Sequence, residues 1–287
     1  MRSNIVKIIV PRSRHVTTII PIESHYSKRS QSNGFDKLAW FKMIGRVRKD
    51  PNAYIIFVGD MIDALRPSAR DRRAMCFAEQ ERRPECSESD LDHQDGLRSG
   101  IIHDLKPIAH KILAMIDGDH YMAYQDGTTS TQFIAETLGI PQTYLGERMG
   151  YVRITFQLGE SDWRNYDVLV RHGKGGTGTL GGDVNAALKQ AQAFDADLHV
   201  SGHTHKIFFT NETHLWLNKV GQIKDRIVSY ARAGSLLRTF SNTDTTYGER
   251  AEYSPLTIGW PEIQVTTQKD CHSNNGNLGV VSVKGLV

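Results

Sequence analysis

Five short apolar runs, each followed closely by a carboxylate, a histidine or both, constrain the fold of this 287-residue chain more than any other feature. Val16 to Ile22 leads into Glu23-Ser24-His25, Tyr54 to Val58 into Gly59-Asp60, and Ile112 to Ile116 into Asp117-Gly118-Asp119-His120. Val168 to Arg171 leads into His172, and Leu198 to Ser201 into Gly202-His203-Thr204-His205. Such β-rich runs with polar punctuation read as buried strands. Ligands of open α/β sheets bind at the carboxyl ends of the strands, so these side chains are expected to gather in one place. Histidines at i and i+2 point apart in an extended strand, but in a turn just past one, after a glycine that bends freely, both can reach a metal. By itself the Gly202–His205 turn fits a metal site or a solvated polar loop equally well.

Helical spacing separates the strands. Apolar residues at Phe35, Leu38, Phe41, Met43, Ile44 and Val47 predict a helix over 35–47, with others at 98–111, at 130–138 before Gly139 and Pro141, and at 183–194. From about 150 strand signals dominate, at 151–156, 166–170, 207–210, 215–218, 227–231 and 262–266. The layout predicts an α/β fold of two packed mixed β-sheets flanked by helices. It forms a single domain over residues 1–267, with a basic insertion at about 64–97 and a polar C-terminal tail at 268–287.

The chain is long enough to bury a substantial core. Its longest apolar runs are too short to span a bilayer, and Ile5 to Val10 is broken by Lys7, so neither membrane segment nor secretion signal is expected. Three cysteines, Cys76, Cys86 and Cys271, make no CxxC spacing and fit a reducing cytoplasm. A net charge of +3 does not by itself call for a nucleic acid partner. Arg66, Arg70, Arg72, Arg73, Arg82 and Arg83 are interspersed with Asp71, Glu79, Glu81 and Glu85, which reads as a solvated ion-paired segment or as an insertion attracting a polyanion.

Taken in order, Glu23-x-His25, Gly59-Asp60, Gly118-Asp119-His120, His172 and Gly202-His203-x-His205 resemble the five-motif signature of calcineurin-like metallophosphoesterases, usually DxH, GD, GNH, H and GHxH. Ala231-Arg232-Ala233-Gly234-Ser235 is similar to the family's later Gly-Ser turn, and the compact chain resembles phage-encoded members. The resemblance implies a four-layer sandwich and a hydrolase acting on a phosphate-ester substrate through two divalent metal ions. Manganese is foremost, with iron, zinc or nickel as alternatives suited to nitrogen and oxygen donors. Glu23, His25, Asp60 and His205 would hold one ion, and Asp60, Asp119, His172 and His203 the other. Hydroxide activated by the ions would attack phosphorus, with His120 as general acid.

Two positions depart from the family pattern. Glu23 stands for aspartate and keeps its charge. Asp119 stands for asparagine, adding negative charge where the family also contacts substrate phosphate. Repulsion grows with the product of charges, so a phosphodiesterase bias is expected. Tyr121 replaces the acidic residue that often follows the catalytic histidine. Asp63 is expected to orient a ligand histidine or cap a helix, and Lys174 to help position phosphate. Lys174 to Thr179 resembles a deviant nucleotide loop of partition-type ATPases, but Thr179 stands where that loop needs lysine. Remaining alternatives are a DNA nuclease, a protein phosphatase, or a non-catalytic metal-binding scaffold. His15, His93, His103, His110, His199, His214 and His272 fall outside the motifs and are expected at the surface or in satisfied core positions.

Overall fold

Strands buried on both faces need an apolar residue at nearly every position, and the second and third strands of this chain have them. The computed structural model describes residues 1–11, 14–27, 34–62, 98–122, 126–160, 162–175, 179–218, 220–240, 255–269 and 278–286. Asp63, the arginine-rich segment, the three cysteines, His93 and His272 lie outside them.

One sheet has strand order β1-β5-β6-β7-β9-β8. Its strands are β1 (Arg2–Ile9), β5 (Met149–Leu158), β6 (Asp162–Arg171), β7 (Leu198–Ser201), β8 (Phe208–Leu217) and β9 (Ile223–Arg232). The other runs β12-β11-β2-β3-β4, with β2 (His15–Glu23), β3 (Ala53–Phe57), β4 (Ile112–Met115), β11 (Glu262–Lys269) and β12 (Leu278–Leu286). The two-residue β10 (Gly234–Ser235) pairs beside the end of β2. Both sheets are mixed: β2, β3 and β4 run parallel, as do β6, β7 and β9, while β11 and β8 run antiparallel to their neighbours.

Alternation along the strands divides the core. Ile19, Ile56 and Val58 face the first sheet and meet Val152, Ile154, Phe156, Val168, Val170 and Val200. Ile20, Ile22, Ile55 and Phe57 face the opposite way, onto Trp40, Met43, Ile44 and Val47 of helix α1 (Lys37–Lys49) and onto residues of α2 (98–105) and α3 (Ser130–Thr137). Helix α4 (Leu180–Ala191) packs Ala187 and Ala191 against Phe208, Val228 and Tyr230 on the outer face of the first sheet. The layer order is therefore helices, sheet, sheet, helix. Among the described residues no helix is long and apolar enough to cross a membrane.

Where element boundaries differ from the expected ones, local chemistry gives the reason. Helix α1 begins after Asp36, whose side chain accepts from the Ala39 amide at 2.9 Å, while Phe35 bridges to Leu237. Helix α4 begins after Thr179, whose hydroxyl caps the Gly182 amide. The helix expected over 98–111 tightens into a 3-10 turn at Lys106–Lys111, where proline lacks an amide hydrogen. The strands expected at 207–210 and 215–218 are one strand, β8, whose polar middle is exposed while its backbone stays paired to β9. Arg2–Ile9 forms an edge strand, and 278–286, expected as polar tail, pairs antiparallel with β11.

Trp40 is fully buried between α1 and the second sheet. Trp40→Ala should lower unfolding free energy by about 3–5 kcal/mol in urea titrations.

Candidate metal centre

The carboxyl ends of β2, β3, β4, β6 and β7 open onto one point, because the backbone ladders continue past the strands into the loops. The His25 amide donates to the Asp60 carbonyl at 2.8 Å, that of Asp60 to Asp117 at 2.9 Å, and that of Gly202 to His172 at 3.0 Å. Chain segments so paired bring Glu23, His25, Asp60, Asp119, His120, His172, His203 and His205 together.

Among the described residues, the non-glycine positions with positive φ are His25 (44°), Asp60 (47°), His203 (76°) and His205 (58°). Each is a residue expected to bind metal. Left-handed backbone at such positions costs on the order of 1–3 kcal/mol and persists only where surrounding structure enforces it. Two glycines make the approach possible. A Cβ on Gly118 (φ 84°) would overlap the Asp60 carboxylate, and one on Gly202 would overlap that of Glu23.

Asp60 is 2 % exposed and divides its oxygens. Oδ1 accepts from the amides of Asp119 (2.6 Å) and His120 (2.8 Å). Oδ2 lies between His25 Nε2 (3.7 Å) and His172 Nε2 (3.4 Å). On one side of it stand Glu23, His25 and His205, with His25 Nε2 3.0 Å from His205 Nε2 and His205 Nε2 3.6 Å from Glu23 Oε2. On the other stand Asp119, His172 and His203, where Asp119 Oδ2 is 3.1 Å from both His172 Nε2 and His203 Nδ1. Within each trio the ligand atoms lie within 4.8 Å of one another.

These residues fit a divalent cation. Two imidazole nitrogens face each other at 3.0 Å, and among the described residues the buried Glu23 Oε2 has no hydrogen-bond partner. The donors are nitrogen and oxygen, suited to manganese, iron, zinc or nickel. Glu23 acts on both sides. Its Oε1 takes the His203 amide (2.6 Å) and contacts His172 Nδ1 (2.9 Å), leaving Oε2 toward His205. His172 Nδ1 also lies 3.0 Å from the Val58 carbonyl, which leaves Nε2 facing Asp119 and the cluster.

Electrostatics follow from this crowding. Burial lowers the pKa of His172, yet Asp60, Asp119 and Glu23 around it raise the imidazole to about 11. Burial, aided by the charge of His25, pushes His205 down to about 4. Burial would raise Asp60, but His172, His120 and His25 hold its carboxyl below the usual range. Hydrogen bonds from His172 and His203, with Arg148, do the same for Asp119.

Arg148, just before β5, is a site residue that the motifs do not reveal. Its Nη2 donates to Asp119 Oδ1 at 2.5 Å, and its carbonyl accepts from the His172 amide at 2.9 Å. The antiparallel register of β5 and β6, which pairs Met149 with Arg171, puts it there. Arg232, fully buried on β9, donates through Nη1 to the Gly202 carbonyl and so braces the histidine turn from beneath. Lys206 Nζ meets the buried Asp183 of α4 at 2.6 Å, fixing the far end of that turn. Asp117, readable only as a turn residue, is fully buried, accepts from Thr129 and Tyr144 hydroxyls (2.7 Å each), and is pushed up to about 6 by burial.

Lys174 is exposed, and nothing among the described residues ties its side chain to the cluster; its carbonyl accepts from Gln190. His199 packs in the core, stacked on Tyr230 with ring centroids 5.2 Å apart.

Compared with protein-family profiles and with curated protein sequences, the chain has no match in either. Solved structures similar to it include Vps29 complexed with zinc from Entamoeba histolytica, at 11% identity and TM-score 0.35 over 94% of this chain and 98% of that one. Vacuolar protein sorting 29 from Cryptosporidium parvum is 12% identical at TM-score 0.36, with the same coverage. A predicted phosphoesterase from Streptococcus pneumoniae is 13% identical at TM-score 0.34, covering 95% and 98%. At these TM-scores the likenesses carry no argument about function.

Metal must displace the His172 proton, so affinity should rise with pH across the neutral range. Titrating Mn²⁺ into metal-free protein in weak buffer should acidify it. Gly202→Ala should weaken Mn²⁺ binding at least about tenfold by calorimetry, since its methyl needs the space of the Glu23 carboxylate.

Proposed function

We propose that this chain is a metal-dependent phosphoesterase of the calcineurin-like type. The observation that carries this reading is the placement of Asp60 Oδ2 between two ligand trios, one of Glu23, His25 and His205 and one of Asp119, His172 and His203. Divalent ions there would supply Lewis acidity, lowering the pKa of water and offsetting charge on phosphoryl oxygens. This chain's residues supply the rest. Backbone amides and strand pairing hold the ligands before substrate arrives, and Glu23, Val58 and Arg232 fix the orientation of His172 and the histidine turn.

His120 is suited to give a proton to the leaving oxygen. It is partly exposed beside the trios, its amide is anchored on Asp60 Oδ1, and its ring meets His25 edge-on with centroids 5.0 Å apart. His120, His25 and Asp60 also come within ligand distance of one another, so the test must separate metal retention from proton transfer.

The diester bias rested on an uncompensated charge at Asp119. Arg148 contacts that carboxylate and reduces the repulsion the bias depends on, so the proposal is made for phosphate esters as a class.

His120→Ala should lower kcat on an aryl phosphate ester about 10²- to 10⁴-fold while metal content stays at the wild-type level. Chelation should abolish turnover and Mn²⁺ restore it. Absence of turnover in the metal-loaded wild-type protein overturns the proposal and leaves a metal-binding scaffold.

A further inference from the structure

We infer that Arg148 is a phosphate-binding residue of this centre and sets its discrimination between phosphate monoesters and diesters. The inference rests on the phosphoesterase reading above.

Asp119 is an acceptor only, whereas the amide expected at this position would give one oxygen to metal and N–H donors to substrate. In this chain the two roles are split. Asp119 Oδ2 faces His172 and His203, while Oδ1 is taken by Arg148 Nη2 at 2.5 Å. The guanidinium lies beside the cluster, in electrostatic reach of Asp60 as well as Asp119. Its side chain is 40% exposed, and among the described residues its remaining donors have no protein acceptor. A planar guanidinium with one nitrogen fixed on a carboxylate and its remaining donors open suits a second anionic oxygen, and phosphate has the matching geometry. Carboxylate and guanidinium together thus restore both the charge and the donors of a single amide.

Arg148 brings one positive charge, which a dianionic monoester feels twice as strongly as a monoanionic diester. Removing it should penalise the monoester more. A merely structural pair would lower both equally.

The test compares Mn²⁺-loaded wild type with Arg148→Met, Arg148→Lys, Asp119→Asn and the Asp119→Asn/Arg148→Met double variant. Measured are metal content, thermal midpoint, calorimetric affinity for inorganic phosphate, and kcat/KM for aryl phosphate monoester and diester. With metal retained, Arg148→Met should weaken phosphate binding and monoester kcat/KM by about 10- to 100-fold, with a smaller loss for diester. Arg148→Lys should recover part of the loss, and the double variant should recover more, because the amide returns a donor and removes the stranded charge. Unchanged phosphate affinity in Arg148→Met, in a wild type that binds phosphate and turns over, overturns this inference alone. So does an equal loss for both esters accompanied by metal loss and unrelieved by Asp119→Asn. A metal-loaded wild type that neither binds phosphate nor hydrolyses either ester overturns both proposals.

Discussion

The candidate centre is referred at every point to the Asp60 carboxylate. A buried carboxylate is costly unless its oxygens are satisfied, and here one oxygen is held by two consecutive amides of the loop after β4. That fixes the plane of the group and leaves the other oxygen equidistant, within a few tenths of an ångström, from the imidazoles of His25 and His172. Because the two amides belong to Asp119 and His120, the same contact positions a ligand of one trio and the proposed acid. A shift of Asp60 would therefore move both sides together.

Strand pairing and the inter-sheet core enforce this geometry. His25, Asp60, His203 and His205 sit in left-handed backbone that few side chains choose, and together they cost several kcal/mol by the usual scale. Each is flanked by residues in continued backbone pairing: His25 with Asp60, Asp60 with Asp117, Gly202 with His172. The inter-sheet core of Ile19, Ile56, Val58, Val168, Val170 and Val200 holds the two sets of strand ends against each other. Strain spent on ligand geometry is thus offset by burial elsewhere, as expected where preorganisation matters.

Much of this was legible in the sequence because strands buried on both faces announce themselves as apolar runs, and their ends mark the site. Val16–Ile22 and Tyr54–Val58 show it plainly, and every ligand expected after such a run lies in the cluster. What was not legible depends on pairing across distance. Strand β1, with exposed Ile5 and Ile9, and strand β12, rich in small residues, are edge strands whose pattern does not follow one face of a core. Strand β8 read as two pieces, since its polar middle is stabilised by its partner β9 rather than by burial. Arg232 read only as part of the segment resembling a Gly-Ser turn, and only the approach of β7 shows that it reaches the Gly202 carbonyl.

The two departures from the usual ligand pattern are accommodated by different physics. Glu23 is handled by reach: its extra methylene lets one oxygen hold the His203 amide and His172 while the other stays free toward His205. Asp119 is handled by charge, since a carboxylate in place of an amide strands a negative charge that only a cation can offset. Beside the contacts from His172 and His203, a cation comes from Arg148, twenty-nine residues away along the chain, carried there by the register of β5 against β6. A comparison of motif positions alone would therefore read Asp119 as a lone defect. The compensating residue belongs to no motif, because strand register rather than local spacing makes it a neighbour.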